Sequence, residues 1–344
     1  MAMASQALNL PGVCVTAMPR ATPMVRHWLL ELGVALPWKL GGWLVSIELA
    51  RTAAIADPAA RAERYRSLRR RFVRSEARSI AAMNIAIGDL AVDRPIATGI
   101  GFSWINGHGF GQIPVLLYVP GGSFLVPRSP HFTAMITRIA RAARARVMIC
   151  DYRLAPENPC PAAIDDVEAA ADLLIGQGQC PENIFLVAES TGAGIALATA
   201  QRLVARGVHL GGLALLSPWI DVDPARRDIN PVARQAARLY LGGADPRDPA
   251  VNPAYGPMNG LPHILIHANR HDPMFADAEM LARRAAVAGV PVDLRWWPGR
   301  MHVLERHDDP DARRSIAGLA DFVTGQHYRA AASSSGLDSP RRSS

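Results

Sequence analysis

A serine hydroxyl becomes a strong nucleophile only when a base takes its proton and a third group fixes the base. One serine in this chain has both kinds of partner. Ser190 sits in Ala188-Glu189-Ser190-Thr191-Gly192, directly after the apolar run Ile184 to Val187 and before the small-residue stretch Ala193-Gly194-Ile195-Ala196. In a G-x-S-x-G elbow, small residues on either side let strand and helix approach closely around a strained turn that thrusts Oγ outward. Gly192 keeps the second glycine and Ala188 replaces the first, adding a single methyl that the turn can accommodate. Tight strand-to-helix turns use the same residues for packing, so the partners decide the reading.

Two partners follow in order. The run Ile264 to His267 leads into Asn269-Arg270-His271-Asp272-Pro273, and the run Val292 to Trp297 leads into Pro298-Gly299-Arg300-Met301-His302. An acid and then a histidine at successive strand ends match the order serine, acid, histidine expected after such an elbow. Asp272 is the candidate orienting carboxylate and His302 the candidate general base. Asp277 is the rival acid, but it lies at the start of the next helical segment, where an N-cap or dipole role is the simpler account. His271 and His307 are rival bases, neither of them on the turn directly after the last strand.

Attack on a carbonyl also needs N–H donors where negative charge develops. The run Ile113 to Val119 ends in Pro120-Gly121-Gly122-Ser123-Phe124, whose small residues let the backbone reach a substrate. Pro120 has no N–H to give. The amides of Gly122 and Ser123 are the leading donors, with Gly121 in the same loop and Thr191 after the nucleophile completing the candidate set. A plain turn between strand and helix is the alternative.

These groups need a scaffold that brings strand ends together. Apolar runs at Ile113–Val119, Val147–Cys150, Ile184–Val187, Leu213–Leu216, Ile264–His267 and Val292–Trp297 alternate with segments of helical periodicity at Phe132–Ala143, Ala162–Leu174, Gly194–Ala205 and Ala276–Ala288. The alternation predicts an α/β fold with a mostly parallel central sheet covered on both faces. Catalytic groups in such sheets lie beyond the carboxyl ends of the strands, where Ser190, Asp272 and His302 fall. The organisation expected is a helical cap region over residues 1–80, a catalytic domain over 81–326 and a disordered tail over 327–344.

The segment Asp151-Tyr152-Arg153-Leu154-Ala155-Pro156-Glu157-Asn158-Pro159, followed by Pro161-Ala162-Ala163, resembles the motif that marks hormone-sensitive-lipase-like carboxylesterases of the α/β-hydrolase fold. Leu216-Ser217-Pro218-Trp219, the stretch from Tyr240 to Pro249 and the Asp272-Pro273-Met274 and His302 loops are similar to that family as well, so the likeness covers about residues 84–305. The resemblance implies a serine hydrolase of carboxylic esters, with an N-terminal helical cap over the acyl and alcohol pockets. The chain departs from the family pattern at Pro120 and Ser123, which stand at the ends of a His-Gly-Gly-Gly motif, and at Ala188 and Thr191 of the elbow. The segment between Asp221 and Tyr240 is short, which bears on lid shape and substrate size. Within the motif, Asp151 and Arg153 are expected to pair and brace the oxyanion loop.

The composition fits one large domain with appendages: 344 residues, 49% hydrophobic and 19% charged. Cys14, Cys150, Cys160 and Cys180 lack metal-site or disulfide-scaffold spacing, which predicts free thiols and a cytoplasmic location. The net charge is +7, and the densest basic stretch, Arg61 to Arg78, holds eight arginines. Tyr65, Leu68, Phe72 and Val73 form an apolar stripe through it, as in a solvated amphipathic helix, and no nucleic-acid recognition motif accompanies the charge. The apolar stretch Trp28 to Ala50 is interrupted by Glu31, Pro37, Lys39 and Glu48, so it reads as helices that cover a pocket or touch a lipid interface rather than as a membrane span. No secretory signal, Walker loop or metal-ligand spacing is recognised, and no cofactor is expected. The expected partner is a small-molecule ester, with a homodimer left open. The same machinery would also serve an amide or N-acetyl hydrolase or an acyltransferase. A non-catalytic binding protein on a hydrolase scaffold is disfavoured by the joint presence of Ser190, Asp272 and His302.

Overall fold

All six apolar runs contain strands in the computed structural model, which describes residues 13–18, 48–83, 90–93, 101–106, 113–128, 130–299 and 301–334. They are β4 (Val115–Val119), β5 (Arg146–Asp151), β6 (Ile184–Glu189), β7 (Gly212–Leu216), β8 (Ile264–Asn269) and β9 (Val292–Trp297). Three further strands were not expected: β1 (Val13–Ala17), β2 (Leu90–Asp93) and β3 (Gly101–Ile105). Together they form one nine-stranded sheet in the order β1-β9-β8-β7-β6-β4-β5-β3-β2. Every pairing is parallel except β2 with β3 and β3 with β5.

Side chains alternate between two apolar layers, as the two-residue period of a strand requires. Val115, Leu117 and Val119 of β4 and Ile184, Leu186 and Ala188 of β6 enter one core. Leu116 and Tyr118, with Phe185 and Val187, enter the other. The helices are α1 (Pro58–Met83), α2 (Pro130–Ala142), α3 (Ala162–Gly176), α4 (Thr191–Ala205), α5 (Pro231–Leu241), α6 (Phe275–Val287) and α7 (Pro310–Ser334). Residues of α3, α4 and α6 line the first core, and those of α2 and α7 line the second. Because both faces are covered, the central strands are predominantly apolar, with buried polar residues at the carboxyl ends of β6 and β8. Truncating a fully buried residue such as Leu117 to alanine is expected to cost about 2–5 kcal/mol.

Chain order reverses around β4, which lies between β5 and β6. The carboxyl ends of β4 and β6 at such a switch point form the crevice in which open α/β sheets bind ligands. Val119 pairs with Ala188 there, so the loop after Val119 and the turn after Glu189 emerge side by side.

Within the stretch expected to form the helical cap region, β1 adds a parallel edge strand beside β9. At the other end α7 runs on to Ser334, past residue 327 where the tail was expected to begin. Ala330 to Ala332 are strong helix formers, and His327 Nδ1 lies 2.8 Å from Asn183 Oδ1. Most of the apolar stretch from Trp28 onward, together with residues 335–344, lies outside the described residues. Among the described residues no helix is long and apolar enough to cross a membrane.

Candidate active site

Ser190 occupies the turn between β6 and α4 with φ 53° and ψ −126°. A non-glycine residue at positive φ is strained, at a cost of about 1–3 kcal/mol, and persists only where its surroundings fix it. Here the Ser190 amide donates to the Leu216 carbonyl at 3.0 Å, and its own carbonyl accepts from Ala193 at 3.1 Å and Trp219 at 3.0 Å. Gly192 lets the helix meet β4, since a Cβ on it would fall 2.7 Å from the Pro120 carbonyl oxygen. Ala188 is fully buried between β4 and β7, so the methyl it adds to the elbow is accommodated in the core.

The acid and base are brought to Ser190 from 82 and 112 residues along the chain (272 − 190 and 302 − 190). His302 Nε2 lies 2.8 Å from Ser190 Oγ, and His302 Nδ1 lies 2.9 and 3.1 Å from the two Asp272 carboxylate oxygens. The Asp272 side chain is fully buried, whereas that of His302 is 31% exposed, so the site opens to solvent at the histidine. Asp272 Oδ1 also accepts from the Met274 amide at 3.0 Å, which fixes the carboxylate against its own turn. His271 is exposed, with its amide on the Gly299 carbonyl, and His307 follows the short 3-10 turn Leu304–Arg306.

Asp277 does not compete for the base, and it is not an N-cap. Its carboxylate accepts from the Ile220 and Asp221 amides at 2.7 and 2.9 Å and pairs with Arg226 at 2.5 Å. Burial raises its pKa, with Arg226 opposing that shift. Its role is to anchor the chain that follows β7.

The loop after β4 is built from left-handed residues: φ is 132° at Gly122, 52° at Ser123 and 65° at Phe124. The Leu125 and Val126 amides both return to the Gly122 carbonyl at 3.0 Å. Among the described residues no acceptor is bonded to the amides of Gly122, Ser123 or Thr191. The Gly121 amide is different: it donates to Glu189 Oε2 at 2.5 Å, which removes Gly121 from the candidate donor set. Glu189 is fully buried, and burial drives its pKa well above the ordinary carboxylate range, with the Gly121 amide acting against that shift.

The expected pairing of Asp151 with Arg153 is not formed. Arg153 turns to Asp166 on α3, with Nη2 to Oδ1 at 2.7 Å, and Asp151 faces Arg128 at 3.4 Å. The loop is braced instead by Tyr152, whose hydroxyl donates to the Pro120 carbonyl at 2.7 Å, and by the Ala155 amide on the Phe124 carbonyl at 3.1 Å. From α1, Arg69 donates to the Leu125 carbonyl at 2.7 Å and the Ala155 carbonyl at 2.6 Å, and pairs with Glu157 at 2.7 Å. Sequence reasoning missed Glu189, Tyr152 and Arg69. Of these, Glu189 carried a signal, as an ionisable residue on an apolar strand one position before the nucleophile. Among the described residues no cluster of His, Cys, Asp or Glu is placed to hold a metal ion.

A family model described as the alpha/beta hydrolase fold matches residues 116–306, from the second residue of β4 to the end of the turn after His302. The chain belongs to that α/β-hydrolase family. Its relatives include an acetyl-hydrolase of Streptomyces hygroscopicus, 36% identical over 222 residues that cover 60% of this chain and 74% of the relative. They also include the carboxylesterase/phospholipase LipF of Mycobacterium tuberculosis, 28% identical over 61% of each chain. Among solved structures, the hydrolase resembles EstE5 soaked with p-nitrophenyl butyrate, at 28% identity and a TM-score of 0.66 over 71% of this chain and 87% of that one. An esterase of the bacterial hormone-sensitive lipase family is 29% identical, with a TM-score of 0.66 over 83% of this chain and 98% of that one. With its Asp-Tyr-Arg-Leu-Ala-Pro-Glu segment, this hydrolase falls within the hormone-sensitive-lipase-like group.

Proposed function

We propose that this protein is a serine carboxylesterase in which Ser190 is the nucleophile, His302 the general base and Asp272 the orienting carboxylate. The observation that carries the reading is the continuous chain of contacts from Asp272 through His302 to Ser190 Oγ, on the loops that follow β8, β9 and β6 of one sheet. Ser190 Oγ attacks the ester carbonyl as His302 Nε2 takes its proton, and Asp272 stabilises the imidazolium. The oxyanion is held by the amides of Gly122, Ser123 and Thr191, which point no bond elsewhere in the described protein. Collapse of the intermediate returns the proton from His302 to the leaving alcohol, and water activated by His302 then frees the acid from Ser190.

Acetyl esters are the substrate class to try first, because the relative that is 36% identical bears the name acetyl-hydrolase. An acetyl amide and transfer of an acyl group to another acceptor use the same steps. Cysteines 14, 150, 160 and 180 are free thiols, which supports a reducing, cytoplasmic setting. Peripheral lipid contact through the apolar stretch before Arg51 and a homodimer belong to the same proposal. Vesicle flotation and sedimentation equilibrium test them.

The deciding experiment is labelling with a fluorophosphonate, peptide mapping of the adduct and turnover of p-nitrophenyl esters of increasing chain length. Ser190→Ala should abolish labelling and turnover while the protein stays folded, and His302→Ala should be nearly as damaging because the two act as a unit. A Ser190→Ala protein that still reacts would refute the assignment.

A further inference from the structure

His302 is held through its backbone as well as through its ring. The carbonyl of Met301, the residue before it, accepts from Asn269 Nδ2 at 2.5 Å. The amide of Val303, the residue after it, donates to Ser217 Oγ at 3.0 Å. Both side chains are buried, Asn269 at 1% exposure and Ser217 at 3%. Asn269 is the last residue of β8 and Ser217 follows β7, so both contacts come from adjacent strand ends rather than from the histidine loop itself. The Ser217 amide in turn donates to the His267 carbonyl at 2.7 Å, which locks it to β8.

The backbone under this clamp is strained. Val303 has φ 54° and ψ 71°, and Ser217 has φ 45°. A β-branched residue in the left-handed region is an outlier, and such residues persist only where the surroundings over-determine them, most often at functional sites. Relaxation of the Val303 peptide would swing the neighbouring imidazole. Its ring has to stay within hydrogen-bond reach of two fixed groups at once, Asp272 and Ser190 Oγ.

We propose that Ser217 and Asn269 are positioning residues, a two-point clamp that sets the His302 imidazole between Asp272 and Ser190. The inference rests on the reading of His302 as the general base. Neither side chain shares a hydrogen bond with Ser190, the His302 ring or Asp272, so each acts through the peptide it holds.

The test uses the full chain with Ser217→Gly, which suits the left-handed backbone while removing the hydroxyl, and Asn269→Leu, which keeps the volume while removing the donor. Ser217→Ala and Asn269→Asp are made alongside, so that a variant lacking the donor or acceptor and still folding is available at each site. The expected result is a fall in kcat of roughly 10- to 100-fold, the scale that follows displacement of a reacting group by up to about 1 Å, with KM little changed. Fluorophosphonate labelling should slow in parallel. Unchanged kcat and labelling rate in folded variants, beside an inactive His302→Ala enzyme, would overturn the clamp and leave the base assignment intact. An active His302→Ala enzyme would overturn the base assignment itself.

Discussion

The Tyr152 hydroxyl donates to the carbonyl of Pro120 across 32 residues of sequence, and through it the most family-specific segment of the chain touches the loop after β4 directly. Pro120 has no N–H, so its carbonyl is the one backbone hydrogen-bonding group it offers. Tyr152 is buried, and burial pushes the pKa of its phenol far up, so it remains a neutral donor across the working range. Tyr152→Phe deletes this bond without changing shape much. It should lower kcat/KM by the equivalent of about 0.5–1.5 kcal/mol, which is up to roughly tenfold, with the loss carried by kcat. Steady-state kinetics on a p-nitrophenyl ester would show it, and an unchanged kcat would mean that Arg69 and Ala155 hold the loop without help.

The two acids of the β8 to α6 segment should fail in different ways. Asp272→Asn keeps a side chain of the same shape but withdraws the charge that stabilises the imidazolium, so activity should fall by several orders of magnitude while the fold survives. Asp277→Asn disturbs a buried carboxylate that pairs with Arg226 and accepts two amides. Its expected cost is stability, about 1.5–3 kcal/mol for a hydrogen bond to a charged group, with little change in activity per folded molecule. Denaturant titration and active-site counting with the fluorophosphonate separate the two effects. Equal losses of specific activity in both variants would contradict the separation.

Much of this site was legible because its side chains lie on strand ends of a parallel sheet. Such strands are buried on both faces and read as unbroken apolar runs, so Ser190, Asp272 and His302 could be placed by the runs that precede them. What was illegible had weaker physics behind it. Val13–Ala17 is a five-residue edge strand with four exposed positions, and Gly101–Ile105 mixes Gly, Ser and Trp in an antiparallel position, so neither shows a clear apolar period. Helix α5 did carry signals that went unread: Asn230 caps it by accepting from the Ala233 amide at 2.9 Å, Pro231 opens it, and Gly242 closes it in the left-handed conformation. The choice of Asp166 over Asp151 for Arg153 depends on where α3 packs, which residue spacing alone does not encode. The diversion of the Gly121 amide to Glu189 depends on how closely β4 and β6 emerge, and is equally three-dimensional.

Glu189 gives a pH-dependent prediction. Its folded pKa is raised, foremost by burial, so the folded protein keeps a proton that the unfolded chain releases above about pH 4.3. The group's favourable contribution is therefore complete below that pH and is lost as the pH rises through the folded value. Glu189→Gln removes this dependence and leaves an amide oxygen to accept from Gly121, so it should be at least as stable as the parent at neutral pH and keep most of the activity. Glu189→Ala leaves the buried Gly121 amide without its acceptor, at a cost of about 1–3 kcal/mol, and should loosen the loop. Chemical denaturation at several pH values together with kcat would check both. A Gln variant as impaired as the Ala variant would show that the neutral acid, not its acceptor oxygen alone, is required.

The elbow offers a test of how closely the nucleophile helix must approach the sheet. A methyl at position 192 would meet the Pro120 carbonyl oxygen at 2.7 Å and the Val119 carbonyl oxygen closer still. Both are backbone atoms at the end of β4, which is held on its two sides by β5 and β6 and has little room to yield. The strain in Gly192→Ala should therefore be relieved by α4, whose movement carries Ser190 and the Thr191 amide away from the Gly122 and Ser123 amides. A displacement of about 1 Å at reacting atoms costs on the order of 10²-fold in rate, and a loss of that size in fluorophosphonate labelling is the expected outcome. Ala188→Gly is the contrasting change at the other end of the same elbow. It creates no clash, and it should cost about 0.5–1 kcal/mol of stability through backbone entropy while leaving the labelling rate near that of the parent. If Gly192→Ala labels as fast as the parent, the close approach of α4 to β4 serves packing alone, and the small residue at 192 has no part in presenting the nucleophile.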